Sequence, residues 1–178
     1  PEETGTVICS RIAPEEEVPI TGIAGKKNFA AISIAKNRMN SQPGFCKKLL
    51  EAFEENDIVF EHMPSGIDTI CVILPQEELA VKEAAIMESL SRLLSPDKIE
   101  IDRDMALVTV VGKGMRSVCG IAARFFTSLG DADVNIKMID MGSNEINCTI
   151  GVKNDDFERS IQALYHALVE VPWEEKQK

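Results

Sequence analysis

The residues that could do chemistry are few and scattered. The cysteines are Cys9, Cys46, Cys71, Cys119 and Cys148, and the histidines are His62 and His166. A structural zinc site needs Cys or His ligands paired at short spacing, and a redox dithiol needs C-x-x-C. Neither pattern occurs, so no metal and no cofactor is expected. An odd number of cysteines on segments that read as helix or strand predicts buried free thiols in a reducing compartment, and hence the cytoplasm. The segment GIAGKK at 22–27 has the glycine and lysine of a phosphate loop, but the glycine spacing is wrong and no Ser or Thr follows the lysine. No strand–turn–helix nucleophile elbow is present. No carboxylate pair sits in an apolar setting that would tune one as acid and one as base. His62 follows Glu61 on a strand-like run, which sends the two side chains to opposite faces. It reads as an edge or solvated histidine, and no catalytic residue is expected.

One stretch does pose a chemical question. In KNRMNSQPGFCKKLLEAF, residues 36–53, a helix starts at Pro43-Gly44-Phe45. Proline suits a first helical turn, where its missing N–H has no partner to lose. Glycine there costs about 1 kcal/mol relative to alanine. Two readings explain it: a ligand approaches the backbone closely, or the helix packs tightly on a sheet.

The elements around that glycine recur. ISIAKNRMNSQPGFCKKLLEAFEENDIVFEHM from Ile32 lies over VTVVGKGMRSVCGIAARFFTSLGDADVNIKMI from Val108 at an offset of 76, without a gap. Met39 falls on Met115, Gly44 on Gly120, Phe53 on Leu129 and Gly66 on Gly142. Each copy reads as a strand (29–36, 106–112), then a helix (43–55, 118–130). Phe45, Leu49, Leu50 and Phe53 form one apolar face, and Ile121, Phe125, Phe126 and Leu129 the matching one. Two strands follow, DIVFEHM and DTICVIL in the first copy, VNIKMID and INCTIGV in the second, with turns at PSG and MGS. A second helix closes each unit, and KIEID at 98–102 adds a fourth strand to the first. The order βαββαβ predicts an α+β fold, two ferredoxin-like units with antiparallel sheets and helices on one face. The second copy lacks a last strand, and PITGIAG at 19–25 is unclaimed. Lending it to the second copy makes the repeats interlocked. The division is then 26–104 for the first unit and 19–25 plus 105–172 for the second, with a tail at 173–178.

Composition narrows what such units do. The 178 residues carry 19 basic and 29 acidic side chains, a net charge of −10, which argues against nucleic acid and anionic membranes as partners. No apolar run reaches the ~18 residues of a membrane span. Most of the seven Phe fall on helix faces, not on strands where RNA bases would stack. A metal chaperone of this shape would carry a cysteine pair in its first loop. A small-molecule sensor or a pairing module remains.

ITGIAGKKNFAAISI, MNSQPGFCKKLLEAFEENDIVFEHMPSGIDTICVIL and LVTVVGKGMRSVCGIAARFFTSLGDADVNIKMIDMGSNEINCTIGV together resemble the regulatory region of aspartokinases, a tandem of ACT domains. The resemblance covers about residues 18–170, and residues 1–18 look like the tail of the kinase domain. The glycine-containing lysine motif that holds ATP in that family is missing, so the resemblance implies a regulatory piece that does not itself phosphorylate aspartate. It implies an effector amino acid bound between the ACT domains of two chains, a homodimer, and a kinase domain as partner in the parent enzyme. By residue, it implies a binding loop of Met39, Ser41, Gly44, Phe45 and Cys46, a strand wall of Val59, Phe60 and Glu61, and a turn of Ser65, Gly66 and Asp68. At the same offset Glu61 becomes Lys137 and Asp68 becomes Asn144, so the first repeat keeps carboxylates able to pair with an ammonium. That, with HMPSGID, favours L-lysine as feedback inhibitor. A sensor of threonine or another amino acid, and a module that only dimerises, are the alternatives.

Overall fold

The computed structural model describes residues 19–171. The tail expected over 1–18, with Cys9, and the polar end over 173–178 lie outside the described residues. The elements are β1 (Gly22–Ala35), α1 (Phe45–Glu55), β2 (Thr69–Pro75), α2 (Gln76–Leu94), β3 (Lys98–Val111), α3 (Ile121–Asp131), β4 (Met138–Asp140), β5 (Asn147–Lys153) and α4 (Phe157–Tyr165), which runs on into a π-helical turn at His166–Glu170. The strands form one antiparallel sheet in the order β2-β1-β3-β5-β4.

Two strands are longer than their sequence patterns suggest. The GIAG of PITGIAG and the strand after it are continuous in β1, and KIEID runs unbroken into the next strand in β3. In β1, Gly22–Lys26 pair with Val111–Leu107, while Ala31–Ala35 pair with Asp102–Lys98 and also with β2. The two halves of the sheet therefore share their central strands.

Alternation along those strands sorts the side chains into two faces. Ala30, Ile32 and Ile34 of β1 join Leu49, Phe53, Ile86 and Leu90 of α1 and α2 in one core. Ala106, Val108 and Val110 of β3 join Ile121, Phe125, Leu129 and Leu164 of α3 and α4 in a second. Phe29, Ala31, Ile73, Met105, Leu107 and Met138 point the other way and form a third cluster. Both helix layers thus lie on one face of the sheet, and the third cluster lines the helix-free face.

The run DIVFEHM does not form a regular strand. It lies as an arm beside β2, with His62 opposite Ile73 and Ser65 opposite Ile70. The Ile73 N–H bonds the His62 carbonyl and the Cys71 N–H that of Pro64, both at 2.9 Å, while the Glu61 N–H also reaches the Ile73 carbonyl at 2.8 Å, one residue out of that register. The ladder breaks where Pro64 has no N–H to give. On the opposite edge of the sheet lies β4, and the sheet curls enough to bring the two edges together. His62 Nδ1 is 2.6 Å from Asp140 Oδ2.

The repeat is gapless only as far as the turn before β2. Ile32 faces Val72 and Val108 faces Ile150, so the offset is 76 for the first strand and 78 for its partner. The Lys36 N–H bonds the Asp68 carbonyl, and the Gly112 N–H bonds the Ile146 carbonyl. The counterpart of Asp68 is therefore Ile146, not Asn144, because the second repeat's turn is two residues longer.

Candidate functional site

The segment between β1 and α1 is a pinned loop. Asp68 Oδ1 accepts the Arg38 N–H at 2.8 Å, and the Ile67 carbonyl accepts the Asn40 N–H at 3.2 Å. From the other side, Asp97 Oδ2 accepts the Asn37 N–H at 2.6 Å, and Lys36 Nζ donates to the Ser95 carbonyl at 2.5 Å. A turn over Met39–Ser41 then delivers the chain to Gln42, Pro43 and Gly44.

Gly44 is the N-cap of α1, not its second residue, and has φ +82. A Cβ placed on it would meet nothing within 4 Å. Tight packing is therefore not what selects glycine here. The left-handed backbone is, since other residues lose about 1–2 kcal/mol in that region. Gly120 repeats this geometry at the start of α3, with φ +83 and equal free space.

The start of α1 carries no side-chain cap and no acidic residue. Beside it lies a cavity of about 260 Å³, lined by Met39, Gly44, Phe45, Cys46, Ser65 and Gly66 among the expected residues. Ser41 sits beside this cavity, exposed, with its Oγ 3.3 Å from Asn40 Oδ1. Asp68 fixes the loop from behind. The structure does not bring Val59, Phe60 or Glu61 into it. Val59 is 72% exposed, Glu61 is exposed, and Phe60 turns inward to meet Phe53 edge-on with ring centroids 5.8 Å apart.

Sequence reasoning missed Asn40, Gln42 and Lys47, which also line the cavity. Lys47 carried a readable signal. A cation in the first helical turn opposes the helix dipole, so lysine there suits an anion held nearby. In the second repeat a more open cleft of about 860 Å³ lies between the corresponding loop and turn, lined by Lys113, Arg116, Ser117 and Glu145 and not by the start of α3. Charged side chains there replace Asn37 and Asn40 of the first repeat.

The described cysteines are free, as expected, but not all are buried. Cys148 is buried and Cys71 half-buried, whereas Cys46 and Cys119 are exposed where α1 and α3 begin. Burial, followed by the nearby Asp140 charge, pushes the Cys148 thiol up to about 11. No group of three or more His, Cys, Asp or Glu able to hold a metal occurs among the described residues. No helix among them is long and apolar enough to cross a membrane.

An ACT domain family model matches residues 108–168, from the end of β3 to the π-helical turn. Aspartokinase 3 of Bacillus subtilis is 36% identical over 166 residues, covering 93% of this chain and 36% of that protein. The aspartate kinase of Clostridium acetobutylicum is 45% identical with a TM-score of 0.82, covering 87% of this chain and 36% of that one. The chain belongs to the ACT-domain regulatory regions of aspartokinases. It thus spans about a third of the length of these two relatives, and the part matched is regulatory, not catalytic. The ligand-free regulatory subunit of Thermus thermophilus aspartate kinase shares the fold, with a TM-score of 0.71 at 21% identity, and is covered over 97% of its length. The aspartokinase regulatory region described here therefore has the α+β architecture of its relatives, with the glycine-opened helix start in both repeats.

Proposed function

We propose that this regulatory region senses L-lysine at the start of α1 and transmits feedback inhibition to an aspartokinase catalytic domain in a reducing, cytoplasmic setting. The observation that carries the reading is the cavity at an uncapped helix start opened by Gly44. A ligand carboxylate seated there meets free N–H groups and the positive end of the helix dipole. With Asp68 holding the loop, Glu61 gives the first repeat a carboxylate for an ammonium, which its structural counterpart Lys137 cannot. A fold neighbour at 20% identity and TM-score 0.74, E. coli aspartokinase III, is known in complex with lysine and aspartate.

Val59 and Glu61 lie on the outer arm of the sheet, and Val59 and Ile67 leave apolar surface in water at 72% and 69% exposure. A homodimer closing over that arm covers this surface and carries Glu61 toward a shared site. On this reading the first ACT unit runs over 26–104, and the second joins 19–25 to 105–172. The pairing of Gly22–Lys26 with β3 supports that division. Regulation requires lysine to bind two arrangements of the paired units unequally, typically by about 1–3 kcal/mol.

Calorimetric titration with L-lysine tests the reading. Saturable binding, lost in Glu61→Ala while the melting temperature holds, is the expected result. Binding of L-threonine alone would make this a sensor of another amino acid. Binding of neither, by a stable dimer, would leave a pairing module.

A further inference from the structure

The helix-free face of the sheet holds a second cavity. Because the sheet edges meet at His62 and Asp140, the concave face between them encloses about 410 Å³. That is within the range of small-molecule sites. Ile73, Met105 and Met138, all buried, provide its apolar floor, and Ser33 and Thr69 contribute hydroxyls. Two charged side chains line it, Lys137 and Asp102, with Lys137 Nζ 2.5 Å from Asp102 Oδ2. The Lys137 side chain is only 18% exposed, against 52% for Asp102. A half-exposed pair of this kind adds little to stability, so holding the lysine inside a cleft is not explained by folding.

We propose that this cavity binds a small neutral α-amino acid as its zwitterion, the carboxylate on Lys137 and the ammonium on Asp102. Adjacent opposite charges suit a ligand that carries both, since a singly charged ligand leaves one of them without a partner. No third charged side chain lines the cavity. A short aliphatic side chain over Met105 and Met138 is therefore accommodated, and a long cationic one is not. This disfavours L-lysine here, and although the cavity shares Ser65 and Gly66 with the helix-start cavity, its charged pair belongs to it alone. The inference stands whether or not that site binds lysine.

The test is an amide NMR titration of the ¹⁵N-labelled chain with L-valine, 3-methylbutanoate (no ammonium) and 2-methylpropylamine (no carboxylate). Valine is expected to shift the amides of Cys71, Lys137 and Met138 saturably. Each analogue should bind at least about tenfold more weakly, as loss of a charged hydrogen bond implies. Lys137→Met and Asp102→Asn should each weaken valine by a similar factor with unchanged melting temperature. If Lys137→Met does not fold, the half-exposed Asp102→Asn carries the comparison. Unmoved amides up to the solubility limit of valine would overturn the proposal, as would equal binding by either analogue or by the folded variants. Titrating L-lysine into the same sample, read at the amides of Cys46 and Lys47, reports the helix-start site separately.

Discussion

Asn28 and Asp104 stand 76 residues apart and do the same thing to the two central strands. Each has a left-handed backbone, φ +68 and +58, where its strand takes in one extra residue. Each is held by a side chain from another element. Asn28 exchanges two 3.1 Å hydrogen bonds with Asn154, and the Asp104 N–H donates to Gln76 Oε1 at 2.8 Å. One extra residue reverses the alternation of a strand. These paired bulges let β1 and β3 turn apolar side chains to helices on the same face in both halves.

The first prediction follows from that geometry. Asp104→Ala places a Cβ-bearing residue without local polar compensation in the left-handed region, and should destabilise by about 1–2 kcal/mol. Asp104→Gly removes the strain and keeps the backbone bond to Gln76, so it should be more stable than the alanine variant by about 1 kcal/mol. Urea midpoints of the two variants decide this.

The two helix-start glycines offer a matched pair. Gly44→Ala and Gly120→Ala meet no atoms within 4 Å, so each should lose only the conformational cost, about 1–2 kcal/mol in thermal or urea melts. On the proposed function, the first weakens L-lysine binding and the second leaves it unchanged. Equal weakening by both would place the ligand elsewhere.

The segment leading into β1 is part of the far core. Ile20 is 7% exposed and belongs to the cluster built around Phe125, Leu129 and Leu164. Ile20→Ala should cost about 2–5 kcal/mol. Native-state hydrogen exchange should then loosen α3 and β5 before α1 and β2. Equal loosening of all four would mean that Ile20 does not belong to one half.

The Cys148 thiol gives a pH dependence of known sign. Its value rises from 9.0 to about 11, chiefly by burial. The contribution is complete below pH ~9 and is lost as pH rises toward about 11, because the unfolded chain ionises first. Cys148→Ser or Cys148→Ala should therefore flatten the fall in stability over that window. At pH 8, alkylation should reach Cys46 and Cys119 but not Cys148, readable by peptide mass mapping.

Much of the fold was legible because its signals are local. The apolar spacing of Phe45, Leu49 and Phe53, and of Ile121, Phe125 and Leu129, is a helix face in any context. The repeat offset placed Gly44 and Gly120 in equivalent roles. Continuity of β1 and β3 was not legible, since Asn28 and Asp104 look like strand ends and act as bulges only through pairing. The two-residue growth of the second turn was hidden because turn residues carry little apolar pattern. Of the candidate site, the loop and turn residues Met39, Gly44, Phe45, Cys46, Ser65 and Gly66 converge, while Val59 and Glu61 face away from them. The cavity beside Lys137 had no sequence signal at all. It arises because sheet curl joins His62 to Asp140, and curl is a property of the whole sheet.

Cys46 and Cys119 are exposed thiols at matching helix starts, and only Cys46 lines the candidate effector cavity. The most direct test is the rate of iodoacetamide labelling at each, with and without saturating L-lysine. Lysine should slow labelling of Cys46 and leave Cys119 unchanged. Unchanged labelling of Cys46 in the presence of bound lysine, or protection of Cys119 instead, would contradict it.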